Sequence, residues 1–142
     1  MCSAASATSR TALKAAAESN GAKLMFSDKL GFLGTCPSNL GTGLRASVMV
    51  KLEKFNEDPA FLEEICSIFD LQPRGSAGEH SAAVGAKFDV SNKQRLGFTE
   101  VELVQKMIDG VTTVIGLEEK LAGGSSKADI KAEAEKIKAA RA

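Results

Sequence analysis

Three arginines of the sequence lie beside glycines, and this combination suits the binding of phosphate groups. Arg45 follows a Gly-Thr-Gly run, Arg74 precedes Gly-Ser-Ala-Gly, and Arg95 lies two residues before Gly97. A guanidinium group can hold phosphate oxygens with two parallel hydrogen bonds, and glycine lets backbone amides approach an anion closely. A single arginine of this kind is more often half of a surface ion pair. Three of them together predict a ligand with several phosphates.

A cysteine on a rigid turn is the second chemical feature. In the stretch GTCPSNLGTG, Cys36 directly precedes Pro37, and hydroxyl groups lie nearby at Thr35 and Ser38. Proline fixes the backbone angle φ, and hydroxyl groups that hydrogen-bond a thiolate lower the pKa of the thiol. We therefore expect Cys36 to be a thiolate that faces a cationic substrate, or a nucleophile. A cysteine nucleophile usually needs a histidine base, and nothing in the sequence brings the one histidine, His80, close.

Composition narrows the class of protein. The chain has 142 residues, no net charge, 44% hydrophobic and 25% charged residues, which predicts one globular domain with a hydrophobic core. The chain lacks the excess of basic residues that would favour binding to nucleic acid. No apolar run approaches the roughly 20 residues that are needed to cross a membrane. The three widely spaced cysteines and single histidine predict neither disulfides nor a protein-built metal site, and they favour a reducing, cytoplasmic location. Cys66, on the apolar face of a predicted helix, is expected to be a core residue.

Hydrophobic spacing predicts an α+β fold in which strands alternate with helices of unequal length. Residues 1–10 are expected to be a disordered leader, although their Ser/Ala-rich, basic composition also weakly resembles a transit peptide. Residues 124–142 are predicted to be a charged helical tail that is exposed or frayed. The predicted helices cover residues 11–20, 59–69 and 99–123, the predicted strands cover residues 30–33, 44–52 and 86–90, and residues 72–85 are predicted to be a loop.

Three stretches together resemble the phosphagen (guanidino) kinases, the ATP:guanidino phosphotransferases that include arginine kinase and creatine kinase. CPSNLGTGLRA, from Cys36, resembles the reactive-cysteine signature and the nucleotide-binding strand that follows it. RGSAGEH, from Arg74, resembles the mobile loop that closes over the substrates. FDVSNKQRLGFTEVE, from Phe88, resembles the strand and helix start that come next. The resemblance implies that residues 11–123 form part of the family's C-terminal catalytic domain, with a partial antiparallel sheet flanked by helices.

The resemblance also implies a site for ATP or ADP with Mg²⁺. Arg45 and Arg74 would bind the phosphates, and Asp89 would lie near the nucleoside. Met49 stands where many family members have a histidine near the adenine, and a thioether can still pack on a base. The implied nucleotide-binding residues are Arg45, Ala46, Ser47, Val48, Met49, Arg74, Gly75, Ser76, Ala77, Gly78, Glu79 and Asp89.

The implied reaction is reversible in-line transfer of the ATP γ-phosphoryl group to a guanidino nitrogen, which depends on positioning and charge neutralisation. Cys36 would lie as a thiolate beside the guanidinium, tuned by Ser38, and Glu79 would hold or deprotonate the guanidino group. The Gly-Glu-His sequence around Glu79 resembles the arginine kinases, so arginine is the favoured substrate. Creatine or another guanidino compound is the alternative.

Family members have an upstream half, with further phosphate-binding arginines and a second catalytic carboxylate, which this sequence lacks. We therefore expect the chain to be inactive without such a half. Two other roles stay open: a non-catalytic nucleotide-binding module, and a structural fragment that associates through an open sheet edge or with the missing half.

Overall fold

The structure, a computed structural model, describes residues 2–75 and 84–141. Within these ranges it contains four helices and two small antiparallel sheets, so the predicted α+β class is confirmed. The helices are α1 (Cys2–Ser19), α2 (Pro59–Ile68), α3 (Glu100–Ala122) and α4 (Lys127–Arg141). The strands are β1 (Phe26–Ser27), β2 (Gly31–Phe32), β3 (Ser47–Lys51), β4 (Leu71–Gly75) and β5 (Lys87–Asn92).

The chain divides into two compact units. The first contains Met1–Leu44 and Arg95–Val101, and the second contains Arg45–Gln94 and Glu102–Ala142. In the first unit, β1 and β2 pair through Phe26 and Phe32, whose rings meet edge to face at 5.1 Å. Helix α1 is longer than predicted and takes in residues 2–10 of the expected leader. The domain boundaries drawn from the sequence remain predictions.

The sheet of the second unit has the strand order β3-β5-β4, and both pairings are antiparallel. Because side chains alternate along a strand, Val50, Phe88 and Val90 point to one face and Ser47 and Asp89 to the other. The apolar face lies in the hydrophobic core, where Val90 is completely buried. The opposite face is polar and is where the site described below is built.

Strand β4 corrects the prediction of a loop from residue 72 onward. Leu71–Gly75 pairs with β5 in register, with Pro73 opposite Val90. Proline lacks a backbone donor and is therefore confined in sheets to edge strands, which is the position that β4 occupies. A proline followed by Arg-Gly hides the strand in the sequence because it removes the alternating pattern.

Helix α2 begins as the sequence predicts. The side chain of Asp58 accepts a hydrogen bond from the backbone N–H of Phe61 at 3.2 Å, and Pro59 occupies the first turn. The helix packs against β4 and α4 and buries Leu62, Ile65 and other apolar side chains in the core. Helix α3 starts directly after Thr99, close to the predicted start at residue 99, and contributes Leu103, Val111, Val114 and Leu117 to the buried residues.

Helix α4 corrects a second prediction, that of an exposed or frayed tail. Ile130 and Ala134 are 1% and 0% exposed and lie in the same core cluster as α2, with Ile137 packed against it. Lys127 also pairs with Asp58 at 2.7 Å. The apolar residues are few, but the spacing i, i+4, i+7 places them on one side of the helix, where a narrow stripe is enough to dock it.

Candidate functional site

The polar face of the three-stranded sheet brings together three residues that the sequence nominated. Asp89, on the central strand, is paired in register with Met49 on one side and with Arg74 on the other. Arg45, just before β3, reaches the same carboxylate: its Nη2 donates to Asp89 Oδ2 at 2.6 Å. These side chains are only 30% and 22% exposed. The arrangement is a carboxylate between two guanidinium groups on a half-buried surface.

The electrostatics of Asp89 follow from this setting. Burial raises the pKa of the carboxyl group, but hydrogen bonds from Arg45 and Ser47 and the positive charges of Arg45 and Arg74 outweigh it, so the pKa is lowered overall. Asp89 is therefore ionised at neutral pH. Its charge keeps the guanidinium of Arg45 in a fixed position, with further N–H groups available for a second anion.

Four further residues of the expected nucleotide site lie in the described strands, namely Ser47, Val48 and Met49 in β3 and Gly75 in β4. Ser47 and Met49 lie on the polar face, where Met49 is 54% exposed. Val48 is paired with Val90, so its side chain points to the apolar face and does not contribute to the polar face. Arg74 donates to the side chain of Gln72 at 3.3 Å, which orients the guanidinium along β4.

The sequence analysis did not identify Asn92, a buried residue that holds the backbone just before β3. Its Oδ1 accepts a hydrogen bond from the backbone N–H of Ala46 at 2.8 Å, and its Nδ2 donates to the carbonyl of Gln94 at 2.8 Å. Ala46 directly follows Arg45, so this bond fixes the backbone that carries the phosphate-binding candidate. An asparagine at the end of an apolar strand was the available signal, but its partner lies 46 residues away.

The thiol turn, residues 36–43, belongs to the first unit. Cys36 is exposed, and its Sγ lies 2.9 Å from the hydroxyl oxygen of Ser38. Pro37–Asn39 form a single turn of 3₁₀ helix, closed by a bond from Leu40 N to Pro37 O at 3.2 Å. The expected contact between the thiol and the Ser38 hydroxyl is thus present.

Arg95 is part of the thiol turn's environment. Its Nη1 donates to the backbone carbonyl of Ser38 at 2.5 Å, and the residue is 9% exposed. The sequence grouped it with Arg45 and Arg74 as a phosphate ligand. Its guanidinium is instead buried and bonded to protein backbone, and this use could not be read from a local pattern.

Cys66 is confirmed as a core residue. It is completely buried on the inner face of α2, and burial raises the pKa of its thiol to about 12, with a smaller contribution from the charge of Glu63. A thiol with such a pKa is not a nucleophile at neutral pH.

Several predicted site residues lie outside the described residues, and no geometry is assigned to them. They are Ser76, Ala77, Gly78, Glu79 and the lone histidine, His80. Gly75 ends β4 opposite Phe88. Within residues 2–75 and 84–141, no group of three or more His, Cys, Asp or Glu side chains is placed to hold a metal ion. None of the helices described is long and apolar enough to cross a membrane.

The chain is similar to known proteins over much of its length. A creatine kinase, testis isozyme, from Oncorhynchus mykiss is 46% identical over 123 residues, which cover 87% of this chain and 32% of that protein. Arginine kinase 1 from Drosophila melanogaster is 51% identical over 94 residues, 66% of this chain and 26% of that protein. A crystal structure of a lombricine kinase superposes with a TM-score of 0.69 at 47% identity, over 84% of this chain and 34% of that one.

This chain therefore spans about a third or less of the length of these relatives. Residues 7–121 match the family model of the ATP:guanido phosphotransferase C-terminal catalytic domain. The match covers most of the chain, from α1 to the end of α3, and the chain belongs to the ATP:guanido phosphotransferase, or phosphagen kinase, family.

Proposed function

We propose that this chain supplies the nucleotide-phosphate site and the reactive thiol for reversible transfer of the ATP γ-phosphoryl group to a guanidino compound. The observation that supports this most is the placement of Arg45 and Arg74 on either side of Asp89 on the polar face of the sheet. Two guanidinium groups oriented by the protein are suited to neutralise the charge of a transferred phosphoryl group.

The donors of this site fit a nucleotide phosphate. Arg45 Nε is buried, and no hydrogen-bond acceptor for it is found among the described residues. A phosphate oxygen is a suitable acceptor for such a donor, because arginine binds phosphate through adjacent N–H groups. Mg²⁺ is usually held through substrate phosphates and a few carboxylates rather than by a protein cage, and it would help neutralise the phosphate charge here.

In this proposal the thiol turn serves the second substrate. Cys36, as a thiolate stabilised by the Ser38 hydroxyl, would lie beside the guanidinium and favour its charge and orientation. Glu79 would hold the same group or take its proton. Neither role needs a covalent intermediate, because the reaction depends on bringing two bound substrates into line.

Arginine is the substrate that we propose, on the basis of the Gly-Glu-His sequence around Glu79. The relatives include both creatine and arginine kinases at similar identity, so creatine is the competing candidate. A direct comparison of the two compounds in one assay separates these possibilities.

Complete activity is proposed only together with the part of the catalytic machinery that the relatives carry outside the matched region. In the described part of the chain, the outer edge of β3 pairs with no further strand. Such an edge is where additional strands of a larger sheet, or a complementary polypeptide, would add. The alternative function is that of a nucleotide-binding module without catalysis. We propose a cytoplasmic location for the protein.

Calorimetric titration with MgADP tests the nucleotide site on the 142-residue chain. Arg45→Ala should weaken binding about 10- to 100-fold, because charge-assisted hydrogen bonds contribute about 1.5–3 kcal/mol. Arg10→Ala, which removes an exposed arginine of α1, is the matched control and should bind like the wild type. Equal weakening in both variants, or unchanged binding in Arg45→Ala, would contradict the proposed site.

Catalysis is tested on a chimera that joins the upstream part of a fruit-fly arginine kinase to this chain. Formation of a phosphorylated guanidino compound from MgATP should occur with arginine and be lost in Cys36→Ala or Arg74→Ala. Turnover of creatine in preference to arginine would overturn the substrate assignment. A folded chimera that binds MgADP but transfers nothing would support the non-catalytic alternative.

A further inference from the structure

We propose that Arg95 is a positioning residue for Cys36. Arg95 binds both halves of the thiol turn and so keeps the Ser38 hydroxyl against the thiol. The catalytic meaning of this clamp rests on the proposed function. The clamp itself concerns the reactivity of a thiol and can be measured without any substrate.

The side chain of Arg95 holds the first half of the turn. Its Nη1 donates to Ser38 O at 2.5 Å, at the centre of the single 3₁₀ turn that follows Cys36. Within the turn, Asn39 N bonds to Cys36 O at 3.1 Å and Leu40 N bonds to Pro37 O at 3.2 Å. The bond from the charged guanidinium is shorter than either of these two backbone bonds.

The backbone of Arg95 holds the second half. Its carbonyl accepts a hydrogen bond from Thr42 N at 3.1 Å and a longer one from the Thr42 hydroxyl at 3.4 Å. At Gly41, a side chain would collide with the Arg95 carbonyl oxygen and with Leu96 Cα, and φ is +100°. Glycine at this position is what allows the two backbones to approach so closely.

The burial of Arg95 supports a specific role for its side chain. The residue is 9% exposed, and among the described residues it forms no ion pair and leaves Nε without an acceptor. Burying a guanidinium is costly unless it is hydrogen-bonded, and here the observed bond goes to the thiol turn. A residue needed only to fill space at this position would be apolar.

The consequence for Cys36 runs through Ser38. The Ser38 hydroxyl lies 2.9 Å from the sulfur, and its backbone carbonyl is the atom that Arg95 holds. Hydrogen bonds weaken steeply when distance or angle changes, so a turn released by loss of Arg95 would lose much of this contact. The thiolate would then be less stabilised and the thiol less reactive at neutral pH.

Among the described residues, Arg95 is the one charged residue of the first unit that is buried. Among the described residues, the remaining charged side chains of this unit are either paired with each other or exposed. They are Arg10 with Glu100, Lys14 with Glu18, and the exposed residues Lys23, Asp28 and Lys29.

The test measures the alkylation rate of Cys36 by iodoacetamide as a function of pH, in the full chain carrying Cys2→Ser. Arg95→Ala should lower the rate at neutral pH by about 3- to 10-fold and move the midpoint of the profile upward. Ser38→Ala should do the same, and the double variant should be no slower than Ser38→Ala alone. Arg10→Ala, an arginine of the same unit, should leave the profile unchanged.

Three results would overturn the proposal. The first is an unchanged pH profile of alkylation in Arg95→Ala. The second is a double variant whose loss of alkylation rate is the product of the losses in Arg95→Ala and Ser38→Ala, and the third is an Arg10→Ala variant whose profile moves as far as that of Arg95→Ala. Should Arg95→Ala fail to fold by circular dichroism, Arg95→Lys in the same cycle with Ser38→Ala gives the comparison, since lysine keeps the positive charge but lacks the planar guanidinium. Failure of MgADP to bind would count against the proposed function and would leave this result unaffected.

Discussion

Replacing Asp89 by asparagine removes the charge that holds Arg45 while preserving the size of the side chain. The bond from Arg45 Nη2 to Asp89 Oδ2 is 2.6 Å long, within the range of charge-assisted hydrogen bonds. Asparagine can still accept a hydrogen bond through its oxygen. The variant therefore isolates the electrostatic part of the interaction.

The expected loss of stability lies between two limits. Exposed ion pairs contribute about 0.2–1 kcal/mol, and buried hydrogen bonds to charged groups contribute about 1.5–3 kcal/mol. The two side chains are 30% and 22% exposed, so solvent screens the pair in part. We expect Asp89→Asn to lower the free energy of unfolding by about 1 kcal/mol at neutral pH.

The direction of the Asp89 pKa shift determines how the stabilisation changes with pH. The pKa of Asp89 is lowered in the folded chain: burial raises it, but the bonds and charges of Arg45, Ser47 and Arg74 prevail. The stabilisation is therefore fully present above the unfolded pKa of about 3.9 and is lost as the pH falls through the folded pKa. The difference between wild type and Asp89→Asn should be constant from about pH 7 to about pH 5 and shrink at lower pH.

Urea denaturation followed by circular dichroism measures these differences, since the chain has no tryptophan or tyrosine for fluorescence. Glu63→Gln, at an exposed position of α2, is the control and should change stability by less than about 0.5 kcal/mol. Adding Arg45→Gln completes a double-mutant cycle with Asp89→Asn. Equal stability of wild type and Asp89→Asn at neutral pH, or a difference that does not shrink as the pH falls below the unfolded pKa of about 3.9, would refute the reasoning.

Three other substitutions or reactions test the packing around the site. Ile130→Ala should destabilise the chain by about 2–4 kcal/mol in urea, whereas Ile108→Ala on the exposed side of α3 should cost less than about 0.5 kcal/mol; equal costs would mean that α4 is not docked. Asn92→Ala should cost about 1–3 kcal/mol by leaving the N–H of Ala46 without its acceptor, and calorimetry should show weaker MgADP binding; unchanged stability and affinity would contradict this. Cys66 should stay unmodified by iodoacetamide in the folded chain while the exposed thiol reacts, as judged by peptide mass spectrometry; comparable labelling of both would show that the core opens readily.

Local signals predicted the elements that begin with a strong cap. The Asp-Pro start of α2 and the Thr99 start of α3 each depend on a few neighbouring residues, and both helices are present as predicted. The strand predicted over residues 44–52 contains β3, in which Ser47 and Met49 alternate with Val50. Such features are visible in a sequence because their physical causes lie within one or two turns of the chain.

Features that depend on distant partners were not predictable in this way. The docking of α4 depends on its contacts with α2, and a stripe of only three apolar residues gives little signal by itself. Arg95 binds a carbonyl 57 residues away, and Asn92 binds an amide 46 residues away. An arginine next to glycine has the same sequence pattern whether it binds a phosphate or clamps a turn. Only the fold distinguishes these uses.

The order of strands in the second unit has a consequence for synthesis on the ribosome. β5 is the last of the three strands to emerge, yet it is the central one, and β3 and β4 contact each other only through it. No pair of this sheet can form until residues 87–92 leave the exit tunnel. Until then the apolar faces of β3, β4 and α2 are exposed together, and such surfaces make a nascent chain prone to aggregation. The interval between the emergence of residue 47 and the emergence of residue 92 from the exit tunnel is therefore when this chain should depend most on chaperones.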